Sequence, residues 1–329
     1  MGIPLIDLAA APPARLALLI DQALCGAGFF AVVGHGVPAA VVGAAFDAGQ
    51  RFFALPQADK ERWHIDRWHI DRWHIDRWHI EHWHIDRLQA DGAGTPAGQL
   101  KRGFDPIGWQ ALDPAQPSDL KESFYLGVEA LAPNPWPDEA LVPGFAAACR
   151  AYSAAVDALA RRLMALFEIA LRLPAGHFEA FMRHPTCTTR LLHYPPQTVA
   201  AAPGQIGCGA HTDWGALTLL AQDSAGGLQV QRRDGDWLDV PPHPGAFVVN
   251  IGDMMQRWTN DRWPSTMHRV VQRRSGRERW SIAYFFDLDA EAVIEPLPSC
   301  VNAERPPRYA PITAGEHLLE MARRTTVAA

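Results

Sequence analysis

After Pro185 the texture of the chain changes, and that change limits its fold more than any other feature. Short apolar runs follow one another at Leu191–Tyr194, Leu217–Ala221, Leu228–Gln231, Trp237–Val240, Phe247–Ile251 and Trp280–Phe286, with turn-forming residues between them. A succession of strand-length runs divided by Gly and Pro predicts an antiparallel barrel or jelly roll. Asp234-Gly235 separates two of the runs, and the pair accepts the positive φ of a type I′ turn, so a hairpin is expected there. The first half reads differently. Leu16–Cys25, Ala39–Phe53 and Phe145–Leu173 carry apolar residues at helical spacing, the last broken at Pro174. Gly28–Val33 is a compact apolar run and reads as a buried strand. The class is α+β: a mainly helical region at 1–184, a sheet-built core at 185–295 and a C-terminal segment at 296–329.

One segment fits neither texture. Residues 62–86 are five tandem pentapeptides beginning Arg62-Trp63-His64-Ile65-Asp66, and they hold five of the 12 tryptophans and six of the 14 histidines. A five-residue period advances about 140° per unit on an α-helix, so the tryptophans spiral around the axis instead of forming a stripe. On a strand an odd period changes face at every unit. Helix is the better expectation, because Arg62 and Asp66, Arg67 and Asp71, and Arg72 and Asp76 fall at i,i+4. Such a helix must protrude or pack on several sides. It is either an arm for metal binding, partner binding or self-association, or a tandem expansion tolerated on the surface at small entropic cost. The second is the simpler.

Charge and composition narrow the partners. A net charge of −6 leaves no basic footprint for nucleic acid or an anionic membrane. The N-terminus, Met1-Gly2-Ile3-Pro4-Leu5-Ile6-Asp7, lacks a signal-peptide pattern, and no apolar run reaches membrane-spanning length. Cys25, Cys149, Cys187, Cys208 and Cys300 are scattered, without disulfide or zinc-site spacing. The expectation is a cytoplasmic protein that acts on a small-molecule substrate.

Chemistry is carried by a His-x-Asp pair, yet the chain contains five: His64/Asp66, His69/Asp71, His74/Asp76, His84/Asp86 and His211/Asp213. Only the last sits in the strand-rich half, where residues i and i+2 of an extended segment share a face and can grip one metal ion. A third ligand from a distant strand completes such a site, and His268 is the candidate. Two histidines and one carboxylate leave three coordination positions open, as oxygen activation at non-haem Fe(II) requires.

In this order and spacing, His211-Thr212-Asp213, Asn250-Ile251-Gly252-Asp253, Thr259-Asn260, Ser265-Thr266-Met267-His268-Arg269-Val270 and Arg279-Trp280-Ser281 resemble the core of the 2-oxoglutarate/Fe(II) oxygenases of the isopenicillin N synthase-like group. Further landmarks extend the resemblance over nearly the whole chain: Ile3-Pro4-Leu5-Ile6-Asp7, Gly28-Phe29-Phe30, His35-Gly36-Val37-Pro38, Lys121-Glu122-Ser123-Phe124 and Pro306-Pro307-Arg308-Tyr309. The repeat departs from it, and Leu192 stands where related plant enzymes commonly have Asn. The resemblance implies a single oxygenase domain over 1–329 with a double-stranded β-helix (jelly-roll) core. It implies Fe(II) on His211, Asp213 and His268, and the distal carboxylate of 2-oxoglutarate on Arg279 and Ser281, with Tyr194 beside them. It also implies a substrate pocket near Phe285, and Phe104 is placed in the segments over its mouth. The activity implied is oxidation of a C–H bond by O2 (hydroxylation, desaturation or ring closure) with release of succinate and CO2. Retention of Asp213 argues against halogenation, since family halogenases replace that carboxylate with a small residue. Two alternatives stand beside it: an oxidase of the isopenicillin N synthase type, which does without 2-oxoglutarate, and a non-enzymatic metal-binding or interaction protein working through the His/Trp repeat.

Overall fold

The computed structural model describes residues 2–65, 102–112, 116–196, 204–271 and 276–325. In chain order these form β1 (Leu5–Asp7), α1 (Pro13–Gly26), β2 (Phe29–Val33), α2 (Ala39–Phe53), α3 (Gln57–Lys60), β3 (Gly103–Asp105), β4 (Glu122–Gly127) and α4 (Phe145–Ala170). Then follow β5 (Thr188–Tyr194), β6 (Cys208–His211), β7 (Leu217–Gln222), β8 (Leu228–Gln231), β9 (Trp237–Asp239), β10 (Phe247–Ile251), α5 (Asp253–Trp258), β11 (His268–Val270), β12 (Arg279–Phe286), β13 (Val293–Ile294), β14 (Ile312–Thr313) and α6 (Ala314–Thr325).

Two sheets make the jelly roll. The larger runs β1-β2-β10-β7-β12-β5-β4-β3 and the smaller β6-β11-β8-β9. Every pairing in them is antiparallel except β1 with β2. The expected strands of the second half all form. What the sequence conceals is that β1 to β4, from the helical half, extend the same large sheet.

Alternation along the strands divides the interior in two. On β2, Phe30 and Val32 point toward α1, α2 and α4 and join one apolar cluster, while Phe29 and Ala31 point between the sheets and join another with Leu192, Val230, Val248 and Val270. The large sheet is therefore buried on both faces. Helix α4 stops short of Pro174: Arg172 takes a left-handed φ of 57°, and Leu173 N–H bonds Glu168 O at 2.8 Å while Arg172 N–H bonds Ile169 O at 3.2 Å. That double closure is a Schellman end, which needs no proline.

Two expectations change in detail. The β8–β9 hairpin forms, but only Gly235 of the Asp234-Gly235 pair has positive φ (92°). Gly235 N–H bonds Arg232 O at 2.9 Å, so the turn spans Arg232 to Gly235 and ends in a left-handed glycine rather than being a two-residue type I′ turn. The start of the pentapeptide segment is not α-helical: Glu61–Trp63 is a single 3-10 turn, and His64 is extended, bridging to Phe104. Trp63 and Ile65 are buried, Trp63 edge-on to Phe52, and Arg62 pairs with Asp138. The remaining units lie outside the described residues.

Candidate active site

The site begins with a strand pairing. His211 is the last residue of β6, His268 is the first of β11, and the two are directly opposite one another. Their rings lie 4.2 Å apart between centroids. Asp213 is not on the strand, as the i,i+2 spacing predicted, but in the turn just past it. There its carbonyl accepts from Asp253 N–H at 2.8 Å. Gly252 leaves no room for a side chain: a Cβ would lie 2.3 Å from Gly215 O and 2.7 Å from Asp213 O. The Asn250-Ile251-Gly252-Asp253 motif thus has a steric job, letting β10 press against the turn that carries Asp213.

These elements aim three lone-pair donors at one point. Asp213 Oδ1 lies 3.9 Å from His211 Nε2 and 3.6 Å from His268 Nε2, and one ligand atom from each residue lies within 4.8 Å of the others. The remaining heteroatoms are occupied. His211 Nδ1 meets Gly209 O at 2.7 Å and His268 Nδ1 meets Thr266 O at 3.1 Å; donation to those carbonyls leaves Nε2 as the basic nitrogen. Asp213 Oδ2 accepts from Thr218 Oγ1 at 2.7 Å and Asn250 Nδ2 at 2.6 Å, which frees Oδ1. Burial pushes both histidines below their ordinary range, so they are neutral and able to ligate. Burial alone would raise Asp213, but the histidines and the Asn250 and Thr218 hydrogen bonds outweigh it and hold the carboxyl low. Thr218 and Asn250 were not assigned from the sequence; only their register opposite one another on β7 and β10 brings them here.

Asp287 approaches the same turn from beyond β12. A Cβ on Gly215 would clash with Asp287 Oδ1, an oxygen without a hydrogen-bond partner among the described residues. Burial, and then the charge of Asp213, push Asp287 up to about 7.

The other end of β12 holds Arg279, 2% exposed and without a carboxylate partner among the described residues. Its Nη1 donates to Ser281 Oγ at 3.0 Å, Nη2 to Gln222 Oε1 at 3.3 Å and Nε to Gly226 O at 2.8 Å, and the guanidinium lies 4.7 Å from the Tyr194 ring centroid. A buried cation with only neutral partners is a receptor for an anion. Register puts Arg279, Ser281 and Phe285 on one face of β12, and Tyr194 faces Arg279 from β5. Phe285 packs against the cluster between the sheets. Phe104 does not. One residue of alternation on β3 turns it to the helix side, against Phe52, Phe53 and the Lys60 ammonium, which removes it from the pocket. His193 and Trp280 stack on that same outer side at 3.9 Å.

A jelly roll that converges two histidines and an aspartate has the donor set of a mononuclear non-haem iron centre. Residues 185–288 match the model of the 2OG-Fe(II) oxygenase superfamily, and residues 3–79 match that of the non-haem dioxygenase in morphine synthesis N-terminal region. The 2-oxoglutarate-Fe(II) type oxidoreductase hxnY of Emericella nidulans is 36% identical over 304 residues, covering 87% of this chain and 78% of the relative. The 2-oxoglutarate-dependent dioxygenase citB of Monascus ruber is 32% identical over 322 residues, covering 92% and 86%. Among solved structures, that of a full-length Neurospora crassa protein in complex with alpha-KG and thymine superposes with a TM-score of 0.81 at 30% identity, covering 98% of this chain and 97% of that one. The chain belongs to the 2-oxoglutarate/Fe(II) oxygenase family. It is a 2-oxoglutarate-dependent dioxygenase that uses Fe(II), 2-oxoglutarate and O2.

Proposed function

We propose that His211, Asp213 and His268 hold the single Fe(II) ion, that Arg279 and Ser281 receive the distal carboxylate of 2-oxoglutarate with Tyr194 packed beneath the guanidinium, and that the enzyme oxidises a C–H bond of a small molecule. The observation that carries the reading is the convergence of His211 Nε2, His268 Nε2 and Asp213 Oδ1 while every other heteroatom of the three side chains is already hydrogen-bonded. Iron and 2-oxoglutarate together supply the oxidant, with the cosubstrate leaving as succinate and CO2. The chain's own part is placement: Gly209 and Thr266 fix the imidazole tautomers, Asn250 and Thr218 fix the carboxylate, and the Phe285 side of β12 walls the space beside it. Whether the product is hydroxylated, desaturated or cyclised depends on how the substrate is held.

Region 1–184 and core 185–295 act as one domain in this proposal, since β1 to β4 share a sheet with β5, β7, β10 and β12. A cytoplasmic location fits five free cysteines, four of them buried. The test of the reaction is substrate-stimulated succinate formation that requires 2-oxoglutarate. Arg279→Met should raise the 2-oxoglutarate KM at least tenfold. Substrate oxidation without succinate would instead favour the isopenicillin N synthase type of oxidase.

A further inference from the structure

Inside the barrel, a second polar cluster shares the inward sheet face of the proposed 2-oxoglutarate site. Arg190 on β5, Tyr125 and Ser123 on β4, and Asp105 on β3 fall on the same inward face as Ser281 and Ala283, by the register Ala283↔Arg190↔Tyr125 and Ser281↔Leu192↔Ser123↔Asp105. Arg190 Nη2 donates to Gln110 Oε1 at 2.8 Å and Ser123 Oγ at 2.9 Å and lies 3.5 Å from Asp105 Oδ2; its guanidinium covers the Tyr125 ring at 4.4 Å. Arg190 and Asp105 are 7% and 3% exposed. Arg190 Nε and Asp105 Oδ1 are nevertheless buried without hydrogen-bond partners among the described residues, one unused donor and one unused acceptor in a single cluster. Buried polar groups are normally paired, so an orphaned pair marks a place where something else binds.

Charge says what kind of molecule that is. Lys121, one residue before β4, is buried against Asp119, and Arg190 is matched by Asp105. With the cofactors in the positions proposed above, two positive charges on iron and one on Arg279 meet two negative charges on 2-oxoglutarate and one on Asp213. The sum is zero. No charge on the inner faces of β3, β4, β5 and β12 is left to compensate a charged substrate, and an uncompensated charge in such a site is strongly disfavoured.

We propose that Asp105, Gln110, Ser123 and Arg190 recognise the substrate, and that the substrate is an uncharged molecule presenting a hydrogen-bond acceptor beside a donor, as the edge of an amide does. This rests on the cofactor placement above, and the two fail separately. Loss of the visible band of the wild-type Fe(II)–2-oxoglutarate complex counts against that placement, whereas substrate preference counts only here.

The test uses the holoenzyme and measures succinate release stimulated by small cyclic amides and imides and by carboxylic acids of the same ring size. A neutral compound should raise release at least tenfold over the unstimulated rate, and no acid should. Arg190→Gln should lower that response more than tenfold while keeping the 2-oxoglutarate band. Asp105→Asn keeps the shape but leaves Arg190 without its counter-charge, so preference should move toward the acids. Should Arg190→Gln fail to fold, the Asp105→Asn preference decides. Stimulation by acids as strong as by amides, no neutral compound that stimulates, or variants that keep the wild-type preference would overturn the proposal.

Discussion

The two faces of strands β4 and β5 both bury charge, but they settle it differently. On the helix side Lys60 Nζ bonds Glu122 Oε2 at 2.7 Å and Phe53 O at 3.3 Å. Glu122 Oε1 meets His193 Nδ1 at 2.7 Å, and His193 Nε2 reaches Glu278 at 3.1 Å while stacking on Trp280. That network is closed, with each charged group partnered inside the protein. Among the described residues, Arg190 Nε and Asp105 Oδ1 on the barrel side stand unpaired and Arg279 has no carboxylate partner. A closed network is scaffold. An open one, built on the same strands, is where the cosubstrate and substrate placed by the proposals above would complete the bonding.

If that contrast is right, damage to the outer network should appear as lost stability with ligand binding intact. Lys60→Met leaves Glu122 buried without its ammonium and should cost about 3–5 kcal/mol in urea denaturation. The 2-oxoglutarate band should survive; its loss from a folded variant would merge the two faces into one system.

A somewhat smaller effect is expected at Asp287, on the boundary of the open site. Its pKa in the folded protein, about 7, exceeds the ordinary 3.8, so the folded chain retains a proton that the unfolded chain has lost. Stability of the metal-free protein should therefore fall as pH rises from about 4 to about 7, by on the order of 3 kcal/mol, and Asp287→Asn should remove that slope. Fe(II) should make it shallower without abolishing it, because it offsets the Asp213 charge and leaves the burial of Asp287, the larger cause, in place. An identical pH profile for Asp287→Asn would contradict the assignment.

Asn250→Ala removes one of the two hydrogen bonds that orient Asp213 and should weaken Fe(II) binding about 10- to 100-fold, measured by anaerobic titration. Ser281→Ala should do least. It removes one hydroxyl from the anion receptor, and a several-fold rise in the 2-oxoglutarate KM with stability changed by no more than about 1 kcal/mol would place Ser281 in the open network.

The sequence made the proposed ligand residues legible because each lies in a short motif whose neighbours have their own tasks. Gly252 is there for backbone clearance, and Thr266 supplies the carbonyl that sets the His268 tautomer. Strands of the second half were legible from apolar runs and turns. The facing of short strands was not. β3 has three residues and no alternation to read, so Phe104 was assigned to the pocket while its neighbour Asp105 is the residue that points inward. Gln222, Gly226 and Thr218 contribute through pairings distant in sequence, and no local pattern announces them.

The central claim is that one iron ion is held by His211, Asp213 and His268, and anaerobic Fe(II) titration followed by addition of 2-oxoglutarate tests it most directly. The wild-type protein should bind one equivalent per chain and develop a weak visible charge-transfer band, and Asp213→Ala should lose the band. One-equivalent binding with an unchanged band after replacement of all three residues would contradict it.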